Sequence, residues 1–341
     1  MDNSADMRAR LHRSHANLCD ILMQFGLGPA ATFRKTHEGR VNDSWIVKTP
    51  ESEVVLRWVA RERSLADIQF EHSFINGLCR SGLAYRFPTP IMTKSGNSLV
   101  RRGNAYFWVY EYIEGRTSLE CTRERIEQIA TAMESIHRSS TRLQVLGSKI
   151  PPPTIVDTWL IEMLQNWKSK TREFADERLR YFASHVDECI SSLTDICCPR
   201  YQTRARFPIH GDWCMSNIVF SGEELTGIID FDNCRFDTAI RDITLFLQYE
   251  CVDDDQSFKL DLPATQHFIE YYNKSGSLSA DDTDMIPALA ISECADALWW
   301  KMYEIVHGRD AAVTLSTIDN LFRSLCWYRD NEREIASALR P

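Results

Sequence analysis

Two carboxylates and an amide stand near one another in the middle of the sequence, in an order that suits phosphoryl chemistry. The segment His210-Gly-Asp212-Trp-Cys-Met-Ser-Asn217 runs into the apolar Ile218-Val-Phe220. A turn signal at Ser221-Gly222 and a second strand-like run, Gly227-Ile-Ile-Asp230, follow. Moving a phosphoryl group from a nucleotide asks little covalent chemistry of a protein. It needs metal ligands, a cation on the phosphates and a carboxylate beside the accepting hydroxyl. Magnesium prefers hard oxygen donors and keeps several waters, so one carboxylate and one amide are adequate. Asn217, closing the loop, and Asp230, closing an apolar strand, can supply that pair. Asp212 lies earlier on the same loop, where an acceptor hydroxyl can be reached. The spacing His-x-Asp-x-x-x-x-Asn is that of a catalytic loop. So short a pattern recurs by chance, and the strand, turn and strand ending in Asp are what make it specific. The plainer alternative is an Asp and an Asn capping turns around a hairpin.

Two kinds of element must position these groups. Up to about residue 115 the chain shows strand signals and one helix. Trp45-Ile-Val47 and Val54-Val-Leu-Arg57-Trp58-Val59 read as a hairpin across the polar stretch Lys48 to Glu53. Ile68, Glu71, Phe74, Ile75 and Leu78 recur at helical spacing, ended by Ser81-Gly82. Ser98 to Arg101 and Tyr106 to Tyr112 suggest a second hairpin around Gly103-Asn104. A small antiparallel sheet with one helix accounts for all of it. From Gly115 onward the helical period dominates, with stripes over Ile126 to Ser139 and Phe174 to Leu193. After the inserted hairpin, helices are predicted over Ile240–Tyr249, Thr265–Tyr272, Ala288–Val306 and Leu315–Ile335. The fold class is therefore α+β, with a β-rich first lobe over residues 1–112 and a mostly helical second lobe over 113–341.

Composition excludes several functional classes. The 341 residues are 44% hydrophobic and 26% charged, as in ordinary globular chains. A net charge of -9 argues against nucleic acid as a partner, because duplex binding draws on dense Lys and Arg. The eleven cysteines are scattered, with no Cys-x-x-Cys. The opening residues are polar and charged, and no run approaches the length of a membrane span. The expectation is a reduced, cytoplasmic protein with no membrane partner, whose oligomeric state the sequence does not set.

The loop His210-Gly-Asp212 … Asn217 and the strand end Ile229-Asp230-Phe231 resemble the aminoglycoside phosphotransferase and choline kinase superfamily, which has a bilobal protein-kinase-like fold. The resemblance runs from about Gly39 to Asp242 and weakens in the C-terminal helices. It implies ATP and Mg²⁺ as cofactors and a small-molecule hydroxyl as acceptor. Asp212 then resembles the catalytic base, Asn217 and Asp230 the metal ligands, and Asp242 a structural aspartate bracing the loop. Arg57 takes the third-strand position where protein kinases carry Lys, with Glu71 as its expected helix partner. The phosphate loop His37-Glu-Gly39-Arg-Val-Asn42-Asp-Ser44 keeps one glycine, and Asn42 and Ser44 are its candidate contacts. Glu111 and Ile113 would present backbone to adenine at the connection between the lobes.

Protein substrates are disfavoured, since neither Asp-Phe-Gly nor Ala-Pro-Glu follows Asp230. Within the superfamily the first lobe looks most like homoserine-kinase-type enzymes. An amino acid or amino alcohol such as homoserine is thus the first acceptor expected, with an aminoglycoside-type antibiotic or natural product as alternative. A non-catalytic nucleotide-binding module is the rival of another class. Asp232, Glu293 and Trp300 are the candidate acceptor contacts, although Glu293 to Tyr303 also has the spacing of core packing. His137 and His210 read as structural, and the reactivity of Cys214 is left open.

Overall fold

The computed structural model describes residues 15–28, 32–36, 43–59, 63–103, 105–147, 158–171, 176–195, 201, 203–253, 259–308 and 313–340. The chain divides into two compact units. The first comprises Met1–Arg116, Gln144–Lys149 and Thr226–Asp230, and the second holds the remainder.

In the first unit a helix, α1 (His15–Gln24), precedes strands β1 (Thr32–Lys35), β2 (Asp43–Lys48) and β3 (Glu53–Val59). Helix α2 (Leu65–Arg80) and strands β4 (Val100–Arg102) and β5 (Ala105–Glu111) follow. The five strands form one antiparallel sheet in the order β1-β2-β3-β5-β4. Central β3 is rich in β-branched and aromatic residues, and all of it beyond Glu53 is buried. Leu18, Ile21, Leu22 and Phe25 of α1 join Val54, Leu56, Phe107 and Val109 of the sheet in one apolar cluster. Each such side chain removed from water contributes roughly 1.5–3 kcal/mol. Helix α2 starts at a reciprocal cap, Asp67 N–H to Ser64 Oγ at 3.1 Å and Ser64 N–H to Asp67 Oδ2 at 3.2 Å. His72 of α2 lies 4.6 Å, centroid to centroid, from the Trp108 ring of β5.

The second unit is built from helices α3 (Arg123–Ser140), α4 (Thr158–Thr171), α5 (Glu177–Asp195), α6 (Ala239–Glu250), α7 (Leu262–Tyr272), α8 (Ile286–Val306), α9 (Leu315–Asp330) and α10 (Glu332–Ala338). Helix α3 packs on α7, α4 on α5, and α8 on both α6 and α9. Strands β6 (Phe207–Ile209) and β9 (Arg235–Asp237) pair antiparallel, and β7 (Ile218–Ser221) with β8 (Glu224–Ile228) makes the inserted hairpin. Along α3 the predicted stripe is the buried one: Ile126, Ile129, Met133 and Ile136 are each at most 4% exposed. The helix expected over Leu315–Ile335 is two helices. Asn331 breaks it, because its side-chain amide and its backbone N–H both donate to Trp327 O, at 2.8 and 3.0 Å. Among the described residues no helix is long and apolar enough to cross a membrane.

Candidate active site

In the second unit the loop from His210 to Asn217 is tied to one carboxylate. Asp242, in the first turn of α6 and fully buried, accepts the backbone N–H of His210 at 3.0 Å and of Gly211 at 2.7 Å. It also accepts Trp213 Nε1–H at 3.0 Å, and His137 Nε2 of α3 lies 2.9 Å away. Burial would raise the Asp242 pKa, but the His137 hydrogen bond and charge, the His210 charge and the Gly211 N–H outweigh it and hold the carboxyl ionised. The opposite ring nitrogen of His137 lies 2.7 Å from the Tyr272 hydroxyl. Gly211 has φ +79°, and a Cβ there would meet Asn233 O at 2.3 Å. Only glycine fits that backbone and that space.

This bracing sets Asp212 beside Asn217. The Asn217 amide donates to Asp212 O at 2.9 Å and to Asp212 Oδ2 at 3.2 Å, so its Oδ1 is the atom left for a cation. At the far end of the loop Glu250, the last residue of α6, accepts Met215 N–H at 2.7 Å. Helix α6 therefore grips the loop at both ends. Cys214 Sγ lies 3.0 Å from Ser216 Oγ. Burial, then the negative charge of Asp212, pushes this thiol up to about 11, so it stays protonated and is a poor nucleophile.

In the first unit Arg57 on β3 donates through Nη2 to Asp230 Oδ1 at 3.0 Å. Asp230 is a non-glycine residue with φ +63°, in the left-handed region, and its side chain is 42% exposed. The segment leading to it is paired with Arg86, whose N–H donates to Thr226 O at 2.9 Å and whose carbonyl accepts Ile228 N–H at 3.0 Å. Gly227 sits against Ile113, and a Cβ on it would meet Ile113 Cγ2 at 2.8 Å. Ser44 of β2 stands opposite Arg57 in the sheet register, and Glu111 opposite Val54. The fully buried carboxylate of Glu71 lies 2.6 Å from Arg63 Nη2, a cation the sequence reading did not single out. Asn42 and the single-glycine loop fall outside the described residues.

The candidate acceptor residues spread over two elements of the second unit. Asp232 sits in the short 3-10 turn Phe231–Asn233. Glu293 and Trp300 are on α8, Glu293 ion-paired with buried Arg241 of α6. Trp300 is 47% exposed, which corrects the core-packing reading of that residue. One turn after Glu293, Asp296 has its pKa raised to about 6 by burial and then by the Glu293 charge. Among the described residues no three His, Cys, Asp or Glu side chains converge as a metal cluster. A magnesium site of one carboxylate, one amide, phosphates and waters does not require such a cluster.

A family model described as the phosphotransferase enzyme family matches residues 32–274, well over half of the sequence. The chain belongs to this family. It is a small-molecule kinase, a phosphotransferase that uses ATP and a hydroxyl acceptor. Homoserine kinase of Agrobacterium fabrum is 20% identical over 293 residues, covering 84% of each chain. Among solved structures, amicoumacin kinase hAmiN in complex with AMP-PNP and Ca²⁺ superposes with a TM-score of 0.66 at 16% identity, covering 97% of this chain and 96% of that one. A microcompartment-associated aminopropanol kinase gives 0.61 at 14% identity, covering 96% and 99%. These two likenesses establish the bilobal protein-kinase-like fold expected from the sequence.

In this phosphotransferase the residues that sequence reading passed over are Arg63, Glu250 and Asp296. Glu250 and Asp296 sit at unremarkable helical positions, and only the packing of α6 against the loop and α8 reveals them. Arg63 precedes α2 by two residues, and its approach to Glu71 had no motif to announce it.

Proposed function

We propose that this kinase phosphorylates the hydroxyl of a small amine-bearing metabolite, an amino acid or amino alcohol. The observation that supports this most is the pair of carboxylates, Glu293 and Asp296, on α8 beside the helix that grips the Asp212 loop. Relatives named for homoserine and for aminopropanol share an acceptor that carries both a hydroxyl and an amine. Asp212 orients the hydroxyl and takes its proton as the new P–O bond forms and the bond to the departing ADP breaks. Asn217 keeps the Asp212 carboxylate turned toward that hydroxyl by its amide N–H.

Asn217 Oδ1 and Asp230 would be the oxygen donors for Mg²⁺, which when bound would neutralise charge on the phosphates. Arg57, now on Asp230, is the cation for the phosphate oxygens, with Ser44 opposite it in the sheet register and Asn42 two residues before Ser44 in the sequence. The backbone of Glu111 and Ile113 seats the adenine, with apolar Ile113 as wall. The nine described cysteines are free thiols, as suits a cytoplasmic enzyme with ATP at hand.

The test is transfer of labelled γ-phosphate from ATP with Mg²⁺ to amino alcohols, hydroxy amino acids and aminoglycosides. Labelling of a small amine is the expected result. Labelling of aminoglycosides alone would move the assignment to the antibiotic class, and tight ATP binding with no labelled acceptor would end the enzyme reading.

A further inference from the structure

Helix α6 is buried along nearly its whole length. Ile240 through Leu247 are all inaccessible, yet Tyr249, one residue before the helix ends, is 55% exposed. Its neighbours in sequence fix where it points. Gln248 donates to Ala290 O of α8 at 3.1 Å, and its amide also lies 3.4 Å from Cys294 Sγ. Glu250 accepts the N–H of Met215 in the catalytic loop. Successive helical residues are turned by about 100°. Tyr249 therefore occupies the strip of α6 between the side facing α8 and the side facing the loop.

The charges around its hydroxyl agree. Burial raises the phenol pKa first, and the charges of Glu293 and Asp212, then Cys214 and Asp296, raise it further. Tyr249 is thus open to water on a side of the helix that these acidic groups share.

We propose that Tyr249 is a specificity-determining residue: its ring is the floor on which the acceptor's carbon chain lies, with the hydroxyl toward Asp212 and the ammonium toward Glu293 and Asp296. This rests on the amine-acceptor reading above and adds a length rule to it. In this placement the ring lies between the base and the carboxylates, so one separation of hydroxyl and amine is served best. A ring face also attracts a nearby ammonium.

The experiment measures transfer to a ladder of ω-amino alcohols from ethanolamine to aminopentanol, and to L-homoserine, with the wild type, Tyr249→Ala and Tyr249→Phe. The wild type should show one preferred chain length. Tyr249→Ala should raise the acceptor KM on that length about tenfold and flatten the ladder, leaving the KM for ATP unchanged. Tyr249→Phe should keep both the preference and the KM within about twofold, since the ring and not the hydroxyl carries the contact. An unchanged KM for ATP shows that the exposed substitution has not unfolded the enzyme. If the wild type labels the ladder and Tyr249→Ala retains its preference and KM, the role given to Tyr249 is wrong while the amine reading stands. If the wild type labels none of these amines, the amine reading fails and takes the role of Tyr249 with it.

Discussion

The loop around Asp212 and the segment ending in Asp230, to which we assign the base and a metal ligand, are held in opposite ways. Around Asp212 the bracing is buried and redundant: Asp242 accepts from two backbone amides and an indole, with His137 on a further side. Around Asp230 the backbone is left-handed, the side chain is half open to water, and its partner is the charged Arg57. A base that must meet a hydroxyl within hydrogen-bond reach gains from a rigid seat. A metal ligand has to change partners as cation and nucleotide come and go, and a pair whose carboxylate is open to water permits that exchange. On the proposed assignment, rigidity is concentrated at the base, where geometry decides the rate.

Substitutions can break or sharpen this contrast. The largest effect is expected for Asp212→Ala, which should lower turnover on the order of 10²–10⁴-fold with nucleotide affinity near that of the wild type. Radiolabel transfer and ATP titration would check it, and full turnover would remove Asp212 from its role. Asp242→Ala should destabilise the second unit by about 3–5 kcal/mol, because it strands the buried His137 and two loop amides, as denaturant unfolding would read. Asp230→Asn, which keeps an oxygen toward Arg57 and tolerates the left-handed backbone, should show the reverse profile, with a stability change within about 1 kcal/mol, a raised magnesium requirement and a turnover loss of roughly 10²-fold. Equal destabilisation by the two substitutions would erase the contrast between loop and strand end.

The smallest effect concerns pH. The Asp296 pKa is raised from 3.8 to about 6, so between those values the folded chain holds a proton that the unfolded chain has released. The contribution of Asp296 to stability then falls as pH rises through that window. Asp296→Asn should make stability rise with pH relative to the wild type by on the order of 1 kcal/mol, discounted for the partly exposed carboxylate, in paired melts taken from pH 4 to 6. A slope unchanged by the substitution would place the titration elsewhere.

Much of this was legible in the amino-acid sequence, for physical reasons. The loop and hairpin carry short-range signals: fixed spacing, β-branched runs and a turn. Alternation and helical stripes likewise announced β2, β3, β5, α2 and α3 to within a few residues. What stayed hidden depends on long-range placement. Arg63 reaches Glu71 through a bend before α2, and Glu250 holds Met215 across 35 residues. Neither interaction leaves a local pattern. Strand β1, only four residues and mostly exposed, lacked the apolar alternation that marks a strand. The break at Asn331 was missed because the apolar period continues past it to Ile335, while a single side-chain amide competes for the Trp327 carbonyl.

The contact between Gly227 and Ile113 has a consequence for ligands that compete with adenine. The wall expected beneath the base and the segment that ends in Asp230 are pressed together with no room for one added carbon. A bulky compound that drives Ile113 backward must therefore push on Gly227, three residues before Asp230. Such a compound would weaken metal affinity without touching a metal ligand. Its inhibition would deepen as magnesium is lowered, whereas a slim adenine mimic would inhibit equally at every magnesium concentration.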